Sequence, residues 1–507
     1  MTVMSAALRG VDGFLVRVEV NLASGLPTFS VVGLPQGEVR EGRERVTAAL
    51  QNVNLTLPVK KITVNLAPAD VRKEGSAFDL PIAVGLVAVT REWSPERVAG
   101  LAFIGELGLD GRLRPVRGAL SIASVCRREG VETLVVPAGN AREAAAVSGL
   151  RVLGATGLEE VLDHIEGRRT LAPAAGGGDA EARRNGGAPD LRDVRGQGHA
   201  KRALCVAAAG GHNLLLVGPP GAGKTMLARR IPGILPPLTL EEALEVTKVH
   251  SVAGLLGADH GLATARPFRA PHHTVSDAGL VGGGTPPRPG EVSLAHHGVL
   301  FLDELPEFRR NALEALRQPS EEGSVALARA RWSLRYPARF VLVAAMNPCP
   351  CGYHGDPADR CTCDPTHVAR YRSRISGPLL DRMDLHVEVP PVPHQALAGP
   401  PEGPSTAEVR TSVVAARDLQ LRRFRSRTGV YCNAQMGVGD LRRLARVEPD
   451  VICLLQTALD RLGLSARSYH RCLRVARTVA DLDASDTVRV VHAAEAIQYR
   501  SLDRRIG

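Results

Sequence analysis

Lysine is nearly missing from this 507-residue chain, with six against fifty-seven arginines. Aromatic residues are scarce too, at 3%, which argues against a base-stacking surface and leaves phosphate contact as the route to any nucleic acid. Apolar runs are short: Leu80 to Val89 is among the longest, well below the roughly 20 residues of a membrane span, so no membrane partner is expected. The first twenty residues mix Arg9, Asp12 and Arg17 into small apolar pieces, unlike a secretory leader, and a cytoplasmic protein is expected. Of nine cysteines, Cys126, Cys205, Cys432, Cys453 and Cys472 are scattered in apolar surroundings. They read as small core residues, and a disulfide framework is not expected in a reducing compartment.

Against that scarcity one lysine stands out. Lys224 is the seventh residue of the octapeptide Gly218-Pro219-Pro220-Gly221-Ala222-Gly223-Lys224-Thr225, entered from the run Asn213 to Val217 and followed by the helix-compatible Met226 to Arg230. Polyphosphate needs small residues that let backbone N–H groups approach, a helix start, a compact cation and a hydroxyl for Mg²⁺. All four are here in order, which makes this a complete Walker A loop and ATP with Mg²⁺ the expected ligand.

The pattern divides the chain. Residues 1–168 alternate short strands (Phe14 to Val20, Thr28 to Val32, Ile62 to Leu66) with helices near Glu38 to Gln51 and Leu80 to Thr90. A linker rich in Gly, Ala and Asn spans 169–189, and strands separated by helices fill 190–390, the pattern of a parallel sheet covered on both faces. A proline-rich linker covers 391–404, and 405–507 has helical spacing. Net charge is +10, and the 18 Arg against 11 Asp plus Glu from Ser405 onward supply +7 of it. Solvated helix faces and a polyanion surface both account for that excess.

Within the middle block, Gly298 to Leu302 is a buried-strand run ending in Asp303-Glu304. In a Walker B reading Asp303 holds Mg²⁺ through water and Glu304 is the general base. A third strand, Phe340 to Ala345, ends at Asn347, a candidate for orienting water against the γ-phosphate; a turn-forming Asn-Pro is the alternative. Arg382, before the strand Leu385 to Val389, could reach a neighbouring subunit's nucleotide, and Arg467, at a helix start, could touch phosphate when the tail closes as a lid. Surface salt bridges are the other reading of both. Cys349-x-Cys351 and Cys361-x-Cys363 place four thiols within fifteen residues, the soft ligand set of a structural Zn²⁺. The one-residue spacing is tighter than usual, and free thiols remain open; His354 and His367 could replace a thiol. The pairs His272-His273 and His296-His297 read as packing and hydrogen-bonding residues rather than metal ligands, since no acidic partner lies at ligand spacing.

Gly196-Gln197, Gly210-Gly211-His212-Asn213, Phe268-Arg269-Ala270-Pro271-His272-His273, Pro287-Arg288-Pro289-Gly290-Glu291, Leu302 to Phe308 and Asn347-Pro348-Cys349-Pro350-Cys351-Gly352 together give the chain a specific resemblance. It resembles the magnesium-chelatase-like AAA+ ATPases of the YifB or ComM type over nearly its whole length. The resemblance implies a P-loop α/β motor domain, an N-terminal Lon-protease-like α+β domain and a C-terminal helical lid. It also implies a homo-oligomeric ring, expected to be a hexamer, with Arg382 as finger and Arg467 as second sensor, moving single-stranded or branched DNA in recombination or natural transformation. Pro267 to Gly290 is then a pore-facing insert. The hairpin-like stretch Ser324 to Tyr336, with Arg329, Arg331 and Arg335, is a second candidate DNA contact; an ordinary surface loop is the alternative for each. Arg72 to Ala77 lies where a Lon-type protease has its nucleophile, but its lysine position falls at Leu120, so no peptidase activity is expected. The competing functional class is a protein-remodelling ATPase, such as a magnesium-chelatase motor subunit.

Overall fold

The computed structural model describes residues 1–175, 189–257, 261–285, 287–329, 332–355, 358–392, 403–427, 429–462 and 465–500. Two compact units result, the first built from Met1–Arg184, Leu240–Thr264 and Ala328–Tyr336, the second from the remaining segments.

The first unit is organised on a seven-stranded mixed sheet. Its strands are β1 (Thr2–Arg9), β2 (Asp12–Ala23), β3 (Thr28–Val32), β4 (Lys61–Ala67), β5 (Leu101–Phe103), β6 (Thr133–Pro137) and β7 (Arg151–Ala155), in the order β3-β4-β2-β1-β5-β6-β7. β1, β2 and β4 are antiparallel neighbours, and β1, β5, β6 and β7 run parallel. Side chains on a strand alternate faces, so Val135 joins the core beneath helices Gly37–Asn52 and Asp79–Thr90, whereas Leu134 and Val136 join the one beneath Ala119–Arg128. Burial on both faces explains why Asp79–Thr90 is apolar nearly all round. Leu120 is fully buried in that second core. The Ser76 hydroxyl meets Glu106, and the buried Lys73 ammonium meets the Pro68 carbonyl.

The second unit carries β8 (Leu214–Val217), β9 (Phe268–Arg269), β10 (Val299–Leu302), β11 (Val341–Met346) and β12 (Leu385–Glu388). They form an all-parallel sheet in the order β9-β10-β11-β8-β12. The continuous apolar runs Leu214–Val217 and Val299–Leu302 are what a sheet buried on both faces requires. On one side Leu214, Leu216 and Phe301 share a core with helix Gly198–Gly210 and with the tail helices Thr406–Arg423, Pro449–Leu462, Ala466–Leu482 and Val490–Gln498. On the other, Leu215, Leu300 and Leu302 pack on Leu313, Leu316 and Tyr371. Parallel strands put their C-terminal ends on one edge, and the Walker loop, Asp303, Glu304 and Asn347 each follow such an end.

Candidate functional site

The site begins where β8 runs out. Gly218 approaches the neighbouring backbone so closely that a Cβ there would lie 2.1 Å from the Val389 carbonyl oxygen. The loop then turns through Gly221 and Gly223 at φ +78° and +92°, conformations that side-chain-bearing residues rarely adopt. A helix starts at Lys224. Lys224 is buried, and its ammonium donates to the carbonyls of Gly218 (2.6 Å) and Pro219 (2.9 Å) and to Asn347 Oδ1 (3.0 Å). Burial lowers its pKa, opposed by the charges of Asp303 and Glu304.

The intervening strand explains the third contact. β11 lies between β8 and β10, so Asn347 at its tip falls between the loop and the acidic pair. From β10, Asp303 accepts 2.6 Å from the Thr225 hydroxyl and 3.0 Å from the Glu304 backbone N–H. Glu304 itself sits at φ +53°, ψ +47°, a left-handed geometry uncommon outside glycine, and its carboxylate is exposed. An open pocket of about 350 Å³ is lined by Pro220 to Met226 together with Asp303, Glu304, Met346 and Asn347.

This donor set fits a nucleotide with its magnesium ion. A buried ammonium, a loop without bulky side chains and a hydroxyl paired to a carboxylate are the oxygen-ligand and phosphate-binding groups that Mg²⁺ and a triphosphate need. The structure also brings in a residue that the sequence reading gave only a packing and hydrogen-bonding role, with no place in the site. His273 Nδ1 lies 3.4 Å from Glu304 Oε2, and its ring stands edge-on to Phe308. The signal that could have found it was its place in the Phe268 to His273 motif.

The two arginines are elsewhere. Arg382 pairs with Glu321 and donates 2.6 Å to the Pro378 carbonyl, and Arg467 lies 3.9 Å from Asp381. Neither lines the pocket of its own chain. The turn bearing Arg382 is held by Asn213, whose side chain donates to the Arg382 carbonyl (3.0 Å) and accepts from the Leu342 N–H (2.9 Å). Ser324–Arg329 and Trp332–Pro337 form a two-stranded hairpin with Arg335 exposed on it. Arg329 ends the first strand; Arg331 lies outside the described residues. The four clustered thiols do converge, with all sulfurs within 4.8 Å of one another.

Residues 190–397 match the family described as magnesium chelatase, subunit ChlI; 18–140 match subunit ChlI of Mg-chelatase, and 403–500 match the subunit ChlI C-terminal family. The competence protein ComM of Haemophilus influenzae is 44% identical over 505 residues, covering 99% of this chain and 97% of that protein. The chain belongs to the ComM/YifB family of magnesium-chelatase-like proteins. The uncharacterized protein YifB of Escherichia coli K12, also 44% identical, shares 99% of this chain and 97% of its own length. The magnesium-chelatase 38 kDa subunit of Acidiphilium rubrum is more distant, 25% identical over 42% of this chain and 55% of its own. Membership makes this ComM/YifB-family chain an AAA+-type ATPase with ATP and Mg²⁺ as its cofactors, and points to oligomeric assembly. Among the described residues, no helix is long and apolar enough to cross a membrane.

Proposed function

We propose that this chain is an ATP-driven ring motor on DNA, a helicase or branch-migration enzyme of recombination or natural transformation. The observation that carries this is the end-to-end match to a protein named for competence, the state in which cells take up DNA. The alternative, a protein-remodelling ATPase such as a chelatase motor, draws on the ChlI family matches, whereas the magnesium-chelatase 38 kDa subunit itself aligns with only 42% of this chain. The basic tail adds support, since arginine-rich surfaces suit phosphate.

In this reading Lys224 holds the β and γ phosphates and Thr225 and Asp303 hold Mg²⁺, while the bound nucleotide supplies a phosphoanhydride whose cleavage drives movement. Glu304 takes the proton of the attacking water, with His273 fixing its carboxylate and Asn347 orienting that water. Arg382 and Arg467 complete the site of a neighbouring subunit in a ring, expected to be a hexamer, and Arg467 acts from residues 405–507 as a lid. Residues 190–390 form the motor core, with 169–189 and 391–404 as linkers. Residues 1–168 act as a Lon-like domain without peptidase activity. Burial of Leu120, and a Ser76 that faces Glu106 rather than an amine, support that last assignment. Arg329, Arg331 and Arg335 contact DNA phosphates in the pore. We place the protein in the cytoplasm.

The test is the ATPase rate with single-stranded, duplex and branched DNA in turn, read beside strand displacement and branch movement. Stimulation by at least one DNA form with movement is expected. A rate indifferent to every DNA structure, with no movement, overturns the reading.

A further inference from the structure

We propose that Cys349, Cys351, Cys361 and Cys363 bind one Zn²⁺ ion, and that this ion holds Asn347 in place against Lys224. The second half rests on the reading of Lys224 and Asn347 as nucleotide-handling residues.

The sulfur geometry comes first. Cys349 and Cys351 Sγ are 3.3 Å apart, Cys349 and Cys361 3.8 Å, and Cys351 and Cys361 3.6 Å. Four thiolates at the usual zinc–sulfur distance of about 2.3 Å sit about 3.8 Å apart at the corners of a tetrahedron. A disulfide needs about 2.05 Å, so these sulfurs have the spacing of ligands to one ion. The backbone N–H of His354 points at Cys349 Sγ from 3.3 Å, a donor that stabilises a bound thiolate. Two Cys-x-Cys turns, each too short to enclose an ion, close a site together. Zinc binding releases the thiol protons and involves no change of oxidation state.

The cluster is joined to the ATPase centre by short connections. Cys349 follows Asn347 by two residues, and Asn347 Oδ1 receives the Lys224 ammonium. Gly352 at φ +88° packs so tightly on the Walker loop that a Cβ there would lie 2.5 Å from Pro220 Cδ. From the second turn, helix Pro365–Arg372 starts after the cap Asp364, directly behind Cys363. That helix returns to the same spot: Arg372 donates to the Pro348 carbonyl (3.2 Å), and the backbone of Asn347 hydrogen-bonds the buried Tyr371. An ion bridging the turns therefore clamps the strand tip from both sides. Asn347 is a ligand-orienting group, and the cysteines are positioning residues.

The experiment uses the purified full chain, with bound zinc measured by atomic emission and thiols by a chromogenic disulfide reagent. Wild type and Lys224→Ala are both expected to carry about one zinc per chain. Cys361→Ser should lose the zinc and at least tenfold in kcat, with nucleotide affinity within a few fold. Cys361→His, which keeps a ligand, should regain both. Zinc in the ATPase-dead Lys224→Ala separates failure of the metal site from failure of the nucleotide reading. Wild type free of zinc, with all four thiols reacting, overturns the proposal. Zinc present while Cys361→Ser turns over at the wild-type rate overturns the coupling. If Cys361→Ser does not fold, Gly352→Ala decides: it should keep zinc yet lower kcat, and an unchanged kcat rejects the link to the Walker loop.

Discussion

Thr225 Oγ1 donates a 2.6 Å hydrogen bond to Asp303 Oδ2 across 78 residues of chain. The bond places a hydroxyl and a carboxylate where one small oxygen-loving cation can take both. Thr225→Ala and Asp303→Asn should each weaken nucleotide binding in Mg²⁺ while changing binding in EDTA little. Glu304→Gln should separate from both: kcat falls about 10²–10⁴-fold with affinity retained, because only the base is lost. Equilibrium nucleotide binding beside steady-state hydrolysis checks all three. Glu304→Gln binding nucleotide as poorly as Asp303→Asn would count against the division of roles.

His273 near Glu304 leads to a smaller effect. Its 3.4 Å contact is worth about 1 kcal/mol if it orients the carboxylate, so His273→Ala should lower kcat roughly fivefold. The fall should vanish in a Glu304→Gln background, where there is no base left to orient. Additive losses in the double variant would remove His273 from the mechanism.

The sheet was legible because its strands are uninterrupted apolar runs, and the Walker residues because their spacing along one turn is chemical. Thr225 and Asp303 could be paired from their motifs, since the end of a parallel strand is a fixed address. His273 was only half legible: the Phe268 to His273 motif marks it, but the loop path that brings it to Glu304 is not written in that motif. The tie of Asn213 to Leu342 and to the Arg382 turn was invisible, because one amide joins three segments distant in sequence. Residues 240–264 read as part of the middle block, yet Ser251 and Glu143 form a buried hydrogen bond within the first unit. Helical periodicity shows that such a segment has an apolar face and says nothing of what covers it.

Asp384 should make the second unit sensitive to acid. Burial pushes its carboxyl up, but His212 at 3.4 Å, with Arg471 and Arg474, outweighs burial and brings it down to about 2. A depressed carboxyl stabilises the fold above its unfolded value of about 3.9, and that stability is lost as pH falls through the folded value. Asp384→Asn should cost about 3 kcal/mol at neutral pH by leaving buried charges unpaired. It should also flatten the stability profile between about pH 4 and 2. Urea denaturation across pH measures both, and an unchanged profile would show that the Asp384 carboxyl titrates alike in the folded and unfolded chain.

If the motor grips DNA through arginines, salt should oppose it steeply. Six or more phosphate contacts predict an affinity loss of about 10³-fold or more between 50 and 200 mM salt, and Arg335→Ala should reduce the logarithmic slope by about 1 for each subunit whose Arg335 touches phosphate. Fluorescence anisotropy with labelled single-stranded and branched DNA gives both values. A flat salt response would exclude phosphate contacts as the source of affinity.

Arg382 tests whether the site is shared between subunits. Its guanidinium is held by Glu321 and the Pro378 carbonyl, its Nε has no hydrogen-bond partner among the described residues, and it does not line its own chain's pocket. A finger acting across a subunit boundary predicts that Arg382→Ala loses about 10³-fold in kcat while binding nucleotide normally. Lys224→Ala fails for the opposite reason, having no cation for the phosphates. Mixed one to one, the two inactive proteins should recover activity. Wherever an Arg382→Ala subunit, with its intact Lys224, borders a Lys224→Ala subunit with its intact Arg382, one complete site forms. Random mixing in a closed ring gives about a quarter of the boundaries that composition. If Arg382 served its own chain's nucleotide, no boundary in the mixture could hold both residues, and the mixture would stay as inactive as its parts.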